Sequence, residues 1–170
     1  MIDTSTMEQP PQVAGKTLNV LLVDDNPTDL NLAMIYLGKA WPFSSDMAVS
    51  TAADGLEALE LMRTKRFCLI ILDWCLPQGG NGHVLREIRR NGVFIPVVVM
   101  SGLARDQLPD YLESAGAAFV NKDNLNASTL YCAIAEALRN CQPLQRPASL
   151  LESEAGPVVF HSHDPLVTHR

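Results

Sequence analysis

Four short apolar runs in this chain each stop at a polar residue. Leu18 to Val23 ends on Asp24 and Asp25, Leu69 to Leu72 on Asp73, and Val97 to Met100 on Ser101, while Phe119 and Val120 run up to Lys122. Runs of this length, apolar without alternation, read as strands of a parallel sheet covered on both faces. In open α/β sheets the ligand site lies beyond the carboxyl ends of such strands. Three carboxylates, a hydroxyl and an ammonium are therefore expected to converge on one rim.

Helical patterns alternate with these runs. Helices are expected from about Thr28 to Lys39, Leu56 to Arg63, Val84 to Arg90, Pro109 to Ala115 and Ala127 to Asn140; a further strand is expected near Ala48 to Thr51. Leu130, Ile134, Ala137 and Leu138 show the helical spacing of a single buried face. Asn26-Pro27 suits a cap and first turn, Asp54-Gly55 the close of the second strand, Gly116 the end of the fourth helix, and Asn126 or Ser128 the start of the fifth. Five strand-helix units in strict alternation imply an α/β, doubly wound, five-stranded parallel sheet with helices on both faces. This domain is expected over residues 17–140, with a flexible leader at 1–16 and a Pro-rich tail at 141–170 that is either disordered or docking.

With 170 residues, a net charge of −6 and no basic stripe, the chain is read as one domain with appendages and not as a nucleic-acid binder. No apolar run approaches the roughly 20 residues of a membrane span, so no membrane partner is expected. Cys68, Cys75, Cys132 and Cys141 lack metal-type spacing, and nothing at the amino terminus resembles an export signal. A cytoplasmic protein with reduced thiols is the expectation. Cys75 is read as a small buried thiol, His161, His163 and His169 as solvated tail residues, and Arg86, Arg89 and Arg90 as a wet helix face.

The segments Leu21 to Asn26, Ala53 to Leu59, Leu72 to Pro77, Ile95 to Val98, Ser101-Gly102 and Ala115 to Ala117, in that order, resemble the receiver domain of two-component response regulators, here of the stand-alone type. The resemblance covers about Thr17 to Asn140. It implies a flavodoxin-like fold with strand order 2-1-3-4-5. It also implies a phosphorylation-controlled signalling protein that accepts a phosphoryl group from a histidine kinase, without being a turnover enzyme. Asp73 becomes the phosphoacceptor and Mg2+ the cofactor, held by Asp25, Asp73 and the backbone carbonyl of Cys75, with Asp24 helping through water. Lys122 and the Ser101 hydroxyl pair with phosphoryl oxygens. Ser101 and Phe119 form the switch that remodels the face of the fourth helix, fifth strand and fifth helix.

The partners so implied are a histidine kinase or histidine phosphotransfer protein, an unknown downstream protein, and a second copy of the chain through that face. Two alternatives stand beside this reading: an intermediate in a phosphate relay, and an aspartyl-nucleophile phosphatase. The latter usually wants a second acid two residues after the nucleophile, where Cys75 stands. Other departures from the family pattern are Asp123 in place of the usual proline after the lysine, the Gly-rich stretch Gln78 to Asn81, and Cys75 and Leu103 at positions that tune access of water. A stretch of apolar residues, Val158 to Phe160, is the candidate docking element of the tail.

Overall fold

Strands β1 (Leu18–Val23), β2 (Met47–Ala52), β3 (Leu69–Asp73), β4 (Val97–Ser101) and β5 (Ala118–Asn121) pair in parallel in the order β2-β1-β3-β4-β5. The structure, a computed structural model, describes residues 17–43, 45–78, 80 and 82–141. The expectations placed on the leader, on the tail beyond Cys141 with its histidines and Val158 to Phe160, and on Gly79 and Asn81 lie outside the described residues. Helices α1 (Pro27–Ala40), α2 (Gly55–Thr64), α3 (His83–Arg90), α4 (Tyr111–Ser114) and α5 (Ala127–Asn140) make the crossovers. This is the doubly wound parallel sheet expected from the alternation, in the flavodoxin-like order that the family resemblance implied.

The apolar runs are uniform because both faces of the sheet are covered, yet each strand still sends successive side chains to opposite sides. Val20, Leu22, Leu69, Ile71, Val98 and Met100 pack with Ala33 and Leu37 of α1 and with Leu130, Ile134 and Ala137 of α5. Leu21, Val23, Ile70, Leu72, Val97 and Val99 pack on the other side with Met62 of α2, Leu85 and Ile88 of α3, and Leu112 of α4. Register then levels the strand ends: Val23 stands opposite Leu72, and Asp73 opposite Met100. Asp24 and Asp73 consequently leave the sheet at the same height.

Local chemistry fixes the element boundaries. Asn26 caps α1 by accepting the Thr28 N–H at 2.9 Å, with Pro27 at the first helical position. Asp54, read from sequence as the close of β2, is the N-cap of α2: it accepts the Glu57 N–H at 2.8 Å while Glu57 accepts the Ala53 N–H at 2.8 Å. Asn126 caps α5 by accepting from Ser128 and Thr129. α4 is a single turn, shorter than the expected Pro109 to Ala115. Leu108 before Pro109 is extended, as the proline ring demands, and Gly116, at φ +67°, closes the other end.

One arginine departs from the expected wet face. Arg89 turns inward, its guanidinium donating to the carbonyls of Ala115 at 2.7 Å, Val93 at 2.9 Å and Ile95 at 3.0 Å. It thereby ties the end of α3 to the C-terminus of α4 and to the approach to β4. Arg90 instead makes an exposed pair with Glu87 at 3.1 Å, and Arg86 lies 5.3 Å from the Tyr111 ring centroid. Hydrogen bonds from a charged donor to partly buried carbonyls carry more stability than a surface ion pair. Arg89→Ala is therefore expected to cost about 2 to 3 kcal/mol in urea unfolding. Arg90→Ala should stay within about 0.5 kcal/mol of wild type.

Candidate functional site

The rim gathers the acids and the amine foreseen from the strand ends. Asp24 is fully buried, Asp73 is 5% exposed, and Asp25 beside them is open to solvent. One carboxylate oxygen from each of the three lies within 4.8 Å of the others. Lys122 enters from the end of β5 and reaches Asp24 Oδ2 at 2.7 Å and Asp73 Oδ2 at 3.2 Å. A third acid joins it: Asp29, in the first turn of α1, takes the same ammonium at 3.0 Å. Asp29 was not singled out from the sequence. An acid in the first turn of a helix reads as a partner of the helix dipole, and no periodic signal brings it to residue 122.

Backbone donors complete the cluster. The Asn26 N–H donates to Asp24 Oδ1 at 2.9 Å, and the Cys75 N–H to Asp73 Oδ1 at 3.2 Å. Cys75 meets the cluster through its main chain, and its side chain is exposed. The expected buried thiol is thus corrected: strand alternation stops at Asp73, and the turn that follows directs residue 75 outward. Asp123, where the family pattern has proline, gives its N–H to Asn121 Oδ1 at 2.8 Å. This bond pins the short turn Lys122–Asn124 and positions the lysine without the ring.

Burial and charge act against each other here. Desolvation raises the Asp24 carboxyl above its ordinary pKa, the Lys122 and Asn26 hydrogen bonds pull it back, and the neighbouring Asp73 charge pushes it up again. For Lys122, burial works against the ammonium but is outweighed by Asp24, Asp29 and Asp73, so its pKa rises above the usual lysine value. The ammonium is firmly charged. Oxygen-only donors of this kind suit a hard divalent ion.

Ser101 is buried at the end of β4, and its hydroxyl accepts the Leu103 N–H at 3.1 Å. Phe119 lies opposite Val99 on the neighbouring strand, half-buried against the core on the α2, α3 and α4 side. Strand parity therefore puts Ser101 and Phe119 on one face of the β4–β5 pair as diagonal neighbours. Trp74, directly after Asp73, packs on that side against Tyr111 with ring centroids 6.0 Å apart. Gly82, at φ +79°, lies beneath both rings, where a Cβ would collide with the Tyr111 hydroxyl and the Trp74 indole.

The family model for the response regulator receiver domain matches residues 20–135. The chain belongs to the response regulator receiver domain family. Curated relatives of this receiver include the autoinducer 2 sensor kinase/phosphatase LuxQ of Vibrio parahaemolyticus, 32% identical over 120 residues, which cover 70% of this chain and 13% of that protein. The transcriptional regulatory protein TrcR of Mycobacterium tuberculosis is 29% identical over 137 residues, covering 79% of this chain and 50% of TrcR. The receiver thus spans from an eighth to a half of these two relatives.

Among solved structures, the bacteriophytochrome response regulator AtBRR superposes with a TM-score of 0.57 at 27% identity, covering 72% of this chain and 94% of that one. The signal receiver domain of a putative Luxo repressor protein from Vibrio parahaemolyticus gives 0.60 at 27% identity, covering 74% and 93%. Receiver domains serve two-component signalling, bind Mg2+ through acidic residues, and interact with histidine kinases or phosphotransfer proteins. No helix of the described residues is long and apolar enough to cross a membrane.

The receiver's buried acid gives a stability test. A folded pKa raised above the ordinary 3.8 of Asp24 means that ionisation at neutral pH costs stability, and that this cost disappears as pH falls through the folded value. In chelator-containing buffer at pH 7, Asp24→Asn should unfold at higher urea than wild type, since Lys122 keeps Asp29 and Asp73. The gap should close as pH approaches 4. A variant less stable than wild type at pH 7 would contradict this assignment of the cost.

Proposed function

We propose that this receiver accepts a phosphoryl group on Asp73 from a histidine-phosphorylated partner with Mg2+ present, and thereby switches a protein-binding face. The observation that carries the reading is the meeting of Asp24, Asp25 and Asp73 with the Lys122 ammonium on one rim. An Asp73 carboxylate oxygen forms the new bond to phosphorus as the P–N bond of the phosphohistidine breaks. The bonding pair stays on the imidazole nitrogen, which takes up a proton. Asp25, Asp73 and the Cys75 carbonyl would hold the Mg2+, with Asp24 assisting through water; the bound ion offsets the charge of carboxylates and phosphoryl oxygens.

Lys122 pairs with one phosphoryl oxygen, and the Ser101 hydroxyl, whose hydrogen is free of the Leu103 contact, donates to another. Movement of Ser101 toward the site vacates space on the face it shares with Phe119, which follows inward. The surface of α4, β5 and α5 then changes, and it carries a cleft of about 340 Å³ bordered by Phe119 and Cys132. That surface is the proposed site for the downstream partner or for a second copy of the chain. Exposed Leu32 and Ile35 on α1 offer apolar contact to the phosphodonor.

The same chemistry would serve a relay in which Asp73 passes the group to a histidine phosphotransfer protein. The presence of sensor kinases among the relatives favours keeping this reading. A turnover phosphatase is disfavoured, since the second position after Asp73 carries the exposed Cys75 and not an acid. Phosphohistidine donors and free thiols accord with a cytoplasmic location.

Incubation with Mg2+ and acetyl phosphate should label the wild-type chain once, with a base-labile acyl phosphate, and should not label Asp73→Asn. Stoichiometric labelling of that variant at another residue, or no labelling of wild type, would overturn the proposal.

A further inference from the structure

Lys122 donates hydrogen bonds to Asp24 at 2.7 Å and Asp29 at 3.0 Å, and faces Asp73 as an ion pair at 3.2 Å. Asp24 and Asp73 belong to the cluster whose oxygens suit a divalent ion, and Asp29 does not. A cation bound to that cluster would draw charge from two of the three partners and leave the third untouched. Asp29 is also fixed where it stands, on the first turn of α1 behind the Asn26 cap and Pro27, where the helix N-terminus attracts a negative charge. It is 33% exposed against 19% for Lys122, so the pair is screened on one side only.

We infer that Asp29 is a positioning residue that holds the Lys122 ammonium toward α1 and restrains its transfer to a phosphoryl oxygen on Asp73. This rests on the acceptor reading and adds a brake to it. During labelling by acetyl phosphate, an Asp73 oxygen bonds to phosphorus, the donor P–O bond breaks and acetate leaves with the bonding pair. The charge that then needs the ammonium lies on the side of Asp73, its most distant partner. Holding the ammonium on Asp29 slows this step and shortens the advantage of the phosphorylated state. Exchange of Asp29 for a neutral isostere removes the restraint while Asp24 and Asp73 still hold the lysine.

The test is a double-mutant cycle on the full chain, with initial rates of Asp73 labelling by acetyl phosphate in saturating Mg2+. Asp29→Asn should label about fivefold faster than wild type, the effect of one partly exposed charge pair. In the Lys122→Gln background the same substitution should change nothing, because the restraint acts through the ammonium. Unchanged or slower labelling by Asp29→Asn would overturn the inference, and so would equal acceleration with and without Lys122, which would mark a general charge effect. A second readout needs no labelling: in chelator, the urea midpoints of the two single variants and the double variant should be non-additive, and additivity would overturn the ion pair itself. A wild-type chain that is never labelled sinks the acceptor reading and this role with it. A labelled wild type with an unresponsive Asp29→Asn sinks the brake alone.

Discussion

A single ammonium makes the rim of this domain tolerable. Asp24 and Asp73 are buried within reach of one another, an arrangement that desolvation and like-charge repulsion both oppose. Lys122 offsets that cost by hydrogen-bonding to Asp24 and Asp29 and pairing by charge with Asp73. Its own burial would favour loss of the proton, but the three carboxylates reverse the balance and keep it charged. The site is thus held together by a strained division of charge, and any cation or anion that enters redistributes it. Such a cluster is suited to a switch, because a covalent change of charge at Asp73 alters what every neighbour prefers.

The sheet supplies the geometry without which these charges would never meet. Parallel pairing of β1, β3 and β4 puts three carboxyl ends on one side, and the register of Val23 with Leu72 levels the first two. Two separate apolar layers then lock the sheet from both faces, one under α1 and α5 and one under α2, α3 and α4. Division into two layers also assigns roles. Lys122 reaches Asp29 on α1, on one side of the sheet, whereas Ser101, Phe119 and Trp74 lean toward the other.

Much of this could be read in advance because the residues concerned obey local rules. A strand buried on both faces must be apolar throughout, so β1, β3 and β4 announced themselves, and the polar residue ending each marked the rim. Caps were equally legible: Asn26 and Asn126 stand where their side chains satisfy the first amides of α1 and α5. Asp29 was not legible, since nothing along the chain links the first turn of α1 to residue 122. Arg89 was misread as solvated although a signal existed: it lies four residues after Leu85 and one after Ile88, at the edge of the buried stripe of α3. Counting the helical period through the arginines would have separated it from Arg86 and Arg90. Cys75 went wrong because it was read from the general preference of a free thiol for burial, whereas it stands in the turn beyond the end of β3.

The most direct measurement of the central claim is a crystal structure of the chain with Mg2+ and beryllofluoride, a mimic of the phosphoryl group. Expected is one ion ligated by Asp25, Asp73 and the Cys75 carbonyl, the mimic bonded to Asp73, and Lys122 moved from Asp29 onto a fluorine. An ion bound away from the rim, or a Lys122 that remains on Asp29 while the mimic occupies Asp73, would contradict it.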